Sequence, residues 1–397
     1  MKVLVLNCGS SSIKYQLREA ASHIALARGL VSRIGEEGAQ IDAQIGESRQ
    51  SRQVEIPTHG RGLELILESL LDPRSGAVKD LSEIAAVGHR VVHGGSLFSA
   101  PVRLTAQVIA KIEECAVLAP LHNPPTLVGI REALRVLPDT PQVAVFDTAF
   151  HVNLPPKAHV YALPYDFYVR HGVRRYGFHG TSYQSVSRKA DVMLGGRLSA
   201  LKVVIAHLGN GASITAVDGG KSVDTSMGMT PLEGLVMGTR GGDLDPGVTL
   251  FMLRQLGLST ADVDRILNEE SGLLGISGVS NDMRDVLAGA AAGDERCRLA
   301  LDLYSYRIKK YVGALAAAMG GLDVLAFTAG VGENSPAIRA AVCEGLGFLG
   351  IELDSDSNAR ALGVEADIGT AGARVRVLVV PTDEEGLIAD ETAAVIA

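Results

Sequence analysis

The stretch VLVLNCGSSSIKYQL, residues 3–17, sets two apolar runs on either side of a small polar tip. The runs Val3–Leu6 and Ile13–Leu17 read as the arms of a β-hairpin. Its tip offers backbone N–H groups and serine hydroxyls to an anion. Asn7 adds an amide oxygen and Lys14 a mobile positive charge. One such hairpin alone is better explained as a tight turn that needs Gly and Ser for its geometry. The layout returns half a chain later in KVVIAHLGNGASITAV, residues 202–217, where a strand, a glycine-containing turn and another strand follow in the same order. Here Gly209 and Gly211 allow close backbone approach to a ligand. Two hairpins of this kind read as two jaws on a polyphosphate, one in each of two related domains facing one cleft.

The bulk properties agree with that division. A chain of 397 residues exceeds one ordinary core. Hydrophobic residues make up 47% and charged residues 21%, a globular balance. A net charge of −8 argues against a general nucleic-acid coat. The apolar run at the N-terminus is too short for a signal peptide, and no uninterrupted apolar run reaches the ~18 residues of a membrane span. Cys8, Cys115, Cys297 and Cys343 form no C-x-x-C pair. That spacing fits a reducing cytoplasm and opposes a disulfide framework or a cysteine zinc site.

Strand-like and helix-like segments alternate throughout, which predicts an α/β fold. Helical periodicity covers residues 60–71, 104–118 and 299–319, and buried strands are expected at 84–92, 143–146, 324–327 and 376–380. A proline-bearing linker or rim at 151–164 separates the halves. The expected domains are residues 1–150 with a returning C-terminal helix at 386–397, and residues 151–385.

Several nucleotide and metal motifs fail on inspection. Gly219-Gly220-Lys221-Ser222 resembles the end of a P-loop, but Thr215 stands where its first Gly is required. Gly345-Leu346-Gly347-Phe348-Leu349-Gly350 spells the dinucleotide pattern but follows a helical segment, so it reads as a helix stop. His89 and His93 are four apart, yet Arg90 follows the first and the run is β-branched, which opposes a zinc helix. Other segments fit ligand chemistry better. Arg90 precedes Gly94-Gly95 and either opens onto a cleft or satisfies a buried partner. Asp147 sits at a strand end, where open α/β sheets place their ligands. His179 lies among glycines in Gly177-Phe178-His179-Gly180. Arg240 lies in a glycine-rich loop that suits an anion clamp, although Asp243 and Asp245 are alternative partners. Gly330–Asn334 follows a strand and fits a nucleotide-facing turn. Asp383-Glu384-Glu385 either supplies a Mg²⁺ carboxylate or caps the final helix.

Together, Asn7–Lys14, Gly88–Gly95, Phe146–His151, Gly177–Ser182, His207–Ser213, Met237–Pro246 and Gly330–Asn334 resemble the acetate kinase family, in order and over essentially the whole chain. The resemblance implies two duplicated ribonuclease-H-like domains of the sugar kinase/Hsp70/actin type around a nucleotide cleft. It implies a homodimer and reversible phosphoryl transfer from ATP to acetate, giving acetyl phosphate and ADP, with Mg²⁺ or alternatively Mn²⁺. Asn7 and Glu384 match metal-associated positions. Arg90 and Arg240 match the arginines on the carboxylate and phosphoryl groups, Asp147 the catalytic aspartate, and His179 a transition-state stabiliser. His122 matches a further active-site histidine, and Val92, Leu121 and Pro231 the pocket for the acetate methyl. Nucleotide-binding positions are matched by Lys14, by His207, Leu208, Gly209, Asn210 and Gly211, by Asp282, Met283 and Arg284, and by Gly330, Val331, Gly332, Glu333 and Asn334.

Three residues depart from the family pattern. Tyr183 stands where a histidine usually follows Gly-Thr-Ser, Gly241 replaces a serine after Arg240, and Asp383 takes a place often held by Asn. Competing readings are a kinase for propionate or another short-chain acid, a metal hydrolase built on the His-rich first half, and an ATP-binding scaffold without catalysis. The scaffold has no need of Arg90, Arg240 and His179 together.

Overall fold

Residues 3–17 form the expected hairpin, with β1 (Lys2–Cys8) and β2 (Ser12–Glu19) antiparallel from Lys2↔Glu19 to Cys8↔Ile13. The computed structural model describes residues 1–120 and 122–397. It divides into two compact units, Met1–Val152 with Asp383–Ala397, and Asn153–Thr382.

Unit 1 carries eight strands. After β1 and β2 come β3 (Ile24–Ser32), β4 (Gln40–Ile45), β5 (Ser48–Gln53), β6 (Ile84–Val91), β7 (Val102–Arg103) and β8 (Gln142–Phe146). Their order is β5-β4-β3-β2-β1-β6-β8-β7. From β5 to β1 the pairs are antiparallel, whereas β6 runs parallel to β1 and β8 parallel to β6. The parallel strands are near-continuous apolar runs because both faces are covered. One cover is the helix Glu384–Ile396, whose Ile388 and Ala389 pack on Val3, Val5, Val143 and Val145. The fit is close at Gly88, where an added Cβ would lie 2.4 Å from Thr392 Oγ1. The opposite cover includes the helix His59–Leu70, capped by the Thr58 hydroxyl on Arg61 N–H.

Unit 2 repeats the plan with β9 (Lys202–Leu208), β10 (Ala212–Asp218), β11 (Lys221–Thr225), β12 (Val324–Thr328), β13 (Ala366–Asp367) and β14 (Arg376–Val379). The order is β11-β10-β9-β12-β14-β13. Again the first three strands are antiparallel neighbours and the next two run parallel to the first. Each sheet also ends in a short antiparallel strand, β7 beside β8 and β13 beside β14. The repeat legible at residues 3–17 and 202–217 is therefore a repeat of whole sheets. The long helix runs Glu295–Met319, from the Asp294 cap to Gly320 in the left-handed conformation.

Two details differ from expectation, and a third agrees with the rejection of the P-loop. The segment 104–118 is broken, with an α-helix Ala106–Glu114 passing into a 3₁₀ turn Cys115–Leu118. Gly330–Asn334 is not an open turn but belongs to a short helix, Ala329–Asn334. Gly219-Gly220 is the two-residue hinge of a hairpin, both glycines at positive φ, which closes the P-loop reading. Among the described residues, no helix is long and apolar enough to cross a membrane.

Candidate functional site

The two units carry different sets of side chains. In unit 1, Arg90 lies one residue before the end of β6, and Asp147 directly follows β8. These strands are parallel neighbours, so the two residues emerge together. Arg90 Nε donates to Asp147 Oδ1 at 3.0 Å and Nη2 to Oδ2 at 2.7 Å, a planar two-point pair. Glu384 Oε2 lies 3.4 Å from the same Nη2. Burial opposes the charge on Arg90, but Asp147, Glu384 and Glu385 outweigh it and hold the guanidinium protonated.

The alternatives at residues 383–385 resolve into a division of labour. Asp383 is the cap: its Oδ1 accepts from Gly386 N–H at 2.9 Å, and its Oδ2 pairs with Arg18 Nη1 at 2.8 Å. Glu384 reaches Arg90, and Glu385 pairs with Lys14 Nζ at 2.5 Å. Asn7 sits opposite Lys14 in the β1–β2 register. His122 precedes the helix Asn123–Val136 and is half-buried. The Asn123 amide ties that helix to the chain beyond β6, accepting from His93 N–H at 3.1 Å and donating to its carbonyl at 2.9 Å. Val92 is half-buried in that same segment. Leu121 lies outside the described residues.

His89 does not pair with His93 around a metal. Its Nε2 meets Gln142 Oε1 at 2.7 Å, and burial pushes its pKa down to about 4, so the ring is neutral at pH 7. Among the described residues, no group of three or more His, Cys, Asp or Glu could hold a metal ion.

In unit 2, His179 adopts the left-handed conformation at φ 57° and leads into the helix Gly180–Met193. Its Nδ1 lies 2.8 Å from Ser213 Oγ on β10. Its ring stacks on His207, centroids 4.1 Å apart. His207 Nδ1 in turn meets Ser182 Oγ at 2.7 Å. Arg240 is half-buried, and its Nη1 donates to Pro231 O at 2.6 Å. Among the described residues it has no acidic partner, and burial lowers its pKa. Asp243, offered above as its partner, instead accepts from Gly234 N–H and Tyr311 and pairs with Arg307. Gly211 packs beside both side chains: an added Cβ would lie 2.8 Å from Arg240 Nη2 and 3.5 Å from His179 Nε2.

A cavity of about 560 Å³ opens in the same unit, within the range of small-molecule sites. Gly209, Asn210, Asp282, Met283, Arg284, Gly330, Val331 and Asn334 line it, with Leu273 and Leu287 adding apolar wall. Arg284 holds the Asp282 carboxyl down at about 2. Leu208 is fully buried in the sheet. Glu333 works as a bracket, accepting from Ala329 N–H at 2.8 Å and Thr382 N–H at 3.0 Å. Gly332 is buried and gives its carbonyl to Arg339 at 2.8 Å.

Sequence reasoning missed Arg339 altogether. It is fully buried, and its guanidinium donates to the Asn358 side chain and to the carbonyls of Gly332, Glu333, Asn358 and Ala361. These bonds pin the cavity-lining helix Ala329–Asn334 from behind. Ser213, Ser182 and Tyr183 were also missed as partners of the two histidines. Ser182 and Ser213 were signalled only by their position inside two motifs already singled out, and Tyr183 only by its departure from the family pattern.

The acetokinase family model matches residues 2–390. A curated acetate kinase from Thermotoga maritima is 52% identical, over 100% of this chain and 99% of its own length. One from Halothermothrix orenii is 49% identical with both chains fully covered. The crystal structure of Porphyromonas gingivalis acetate kinase matches with a TM-score of 0.95 at 49% identity, covering both chains completely. A propionate kinase from Francisella tularensis gives 0.93 at 41% identity, over 99% of each chain. Sequence and fold thus agree along the full length with carboxylate kinases. The chain belongs to the acetokinase family.

Proposed function

We propose that the protein catalyses reversible phosphoryl transfer between ATP and acetate, giving acetyl phosphate and ADP. The observation that carries this reading in the structure is Arg240: a half-buried guanidinium beside His179, with no acid to neutralise it among the described residues. Such a group favours an incoming anion. A carboxylic acid with a pKa near 4 to 5 is ionised at pH 7 and needs no general base. What opposes its attack on a phosphoryl group is repulsion between anions, so positioning and positive charge do most of the catalysis. Arg240 and His179 supply positive charge or hydrogen-bond donors to the transferring group. Arg90, fixed by Asp147, orients the acid; by the family resemblance, Val92, Leu121, His122 and Pro231 are the positions matched to the acid's pocket. The cavity at Gly209, Asp282 and Gly330 holds the nucleotide.

Asn7 and Glu384 offer an amide oxygen and a carboxylate, hard donors that suit Mg²⁺. That ion commonly takes few protein ligands and completes its shell with water and substrate phosphates. When bound, it would neutralise charge on the nucleotide phosphates; Mn²⁺ fits the same donors. A homodimer is supported by the helix Pro246–Arg254, PGVTLFMLR, which buries no residue within this chain. Phe251 is 53% exposed, an apolar surface that a second copy would cover. Four free, buried cysteines are compatible with a cytoplasmic setting.

The likeness to a propionate kinase favours one second reading, a longer acid as main substrate. One methylene changes pocket preference by only about 1–3 kcal/mol. The test is acyl phosphate formation from ATP and Mg²⁺ with formate through butyrate, trapped as the hydroxamate. Highest kcat/KM with acetate supports the main reading, and highest with propionate the second. No acyl phosphate from any acid, by folded protein that binds ATP, overturns both.

A further inference from the structure

Tyr183, where the family usually has histidine, is fully buried one turn along the helix that His179 begins. Its hydroxyl lies 2.5 Å from Ser213 Oγ, and Ser213 Oγ lies 2.8 Å from His179 Nδ1. Three polar groups thus form a chain that ends on the histidine nitrogen away from the reacting side. The other nitrogen faces the opposite way. A Cβ on Gly211 would lie 3.5 Å from His179 Nε2 and 2.8 Å from Arg240 Nη2, so both groups border the same space.

We propose that Tyr183 is a positioning residue that sets the tautomer of His179. The phenol donates to Ser213 Oγ, Ser213 donates to His179 Nδ1, and Nε2 is left carrying the proton beside Arg240. A neutral imidazole in this state is a hydrogen-bond donor to an anion, whereas the other tautomer would present a lone pair to it. The direction of the chain follows from what each group can do. Burial raises the Tyr183 pKa, which keeps the phenolic proton in place. A hydroxyl that accepts one proton from tyrosine has its own to pass on. The stacked His207 ring and the nearby Arg240 guanidinium also disfavour a second positive charge on His179. In this chain a phenol therefore does a task that a histidine at the same position would do with less certain polarity.

The inference rests on the kinase reading above, and its test separates the two. The parent enzyme, Tyr183→Phe, Ser213→Ala and the double variant are assayed with ATP, Mg²⁺ and acetate. In parallel, ring nitrogens are observed by NMR in protein labelled at histidine, with His179 assigned through His179→Gln. Loss of one oriented hydrogen bond is expected to lower kcat about tenfold in each single variant, with KM for both substrates within about twofold. The double variant should lose no more than Ser213→Ala alone, because the groups act as one chain. The parent His179 should show a protonated Nε2 and a bare Nδ1, and Tyr183→Phe a mixture. Tyr183→His should recover most of the lost turnover. Unchanged kcat with an unchanged tautomer in Tyr183→Phe overturns the proposal, as do losses that multiply in the double variant. If Tyr183→Phe fails to fold, Ser213→Ala decides: an unaltered His179 tautomer there overturns it equally. An inactive parent would sink the kinase reading while leaving the tautomer measurement intact.

Discussion

Two arginines matched to one reaction sit in opposite electrostatic states. Arg90, in unit 1, is gripped at two points by Asp147 and flanked by Glu384, so its charge is compensated before any ligand arrives. Arg240, in unit 2, is half-buried against a backbone carbonyl and has no acid beside it among the described residues. The first arrangement gives a fixed direction; the second leaves a cation whose solvation is completed only by an anion. A pair already neutralised orients a substrate well but has little charge left to stabilise a transition state. An unneutralised one does the reverse.

That contrast can be broken most directly at Arg240. Arg240→Ala should lower kcat by about 10³-fold or more, by analogy with arginine clamps on phosphoryl groups. Its thermal midpoint should stay level or rise, since an uncompensated cation is removed. A clear fall in the midpoint would mean Arg240 is a structural residue after all. Arg90→Ala should behave differently, costing stability as well as turnover. It strips the buried Asp147 of its two-point partner, which is worth roughly 3 kcal/mol. Denaturant unfolding checks this, and equal stability losses in the two variants would erase the distinction. Gly211→Ala is a gentler probe of unit 2. Its methyl would press on Arg240 Nη2 at 2.8 Å, so a loss of ten- to a hundredfold in kcat is expected. Parent-like turnover would show that Arg240 moves aside freely. Gly241→Ser should do least: the nearest atom to an added Cβ is Ser271 Cβ at 3.7 Å, so kcat should stay within about twofold. A larger change would show that the loop after Arg240 needs its glycine.

The same two regions show what a sequence can and cannot disclose. β1, β6, β8, β9, β12 and β14 were legible because buried parallel strands are runs of Val, Ile, Leu and Ala. β5, SRQSRQ, was not, since all six residues are exposed and only pairing with β4 makes it a strand. Arg90, Asp147, His179 and Arg240 stood out through neighbouring glycines and strand ends. Which groups pair with which did not. Ser213 lies 34 residues from His179 and Asp147 lies 57 from Arg90, distances that only the folded sheet closes. Arg339 was invisible for a further reason: its partners are mostly carbonyls, which every residue has.

The helix Glu384–Ile396 belongs to unit 1, although the chain reaches it only after completing unit 2. During synthesis the sheet of β1, β6 and β8 therefore waits with one apolar face uncovered while all of unit 2 is made. In the finished protein Ile388 and Ala389 cover Val3, Val5, Val143 and Val145, with Ala20, Ala393 and Ile396 partly buried beside them. A ribosome that stops early at a premature codon near residue 383 would release a chain with unit 2 whole and unit 1 unsealed. Glu384 would be missing from beside Arg90 in the same event, so the late helix makes a truncated product both sticky and inert.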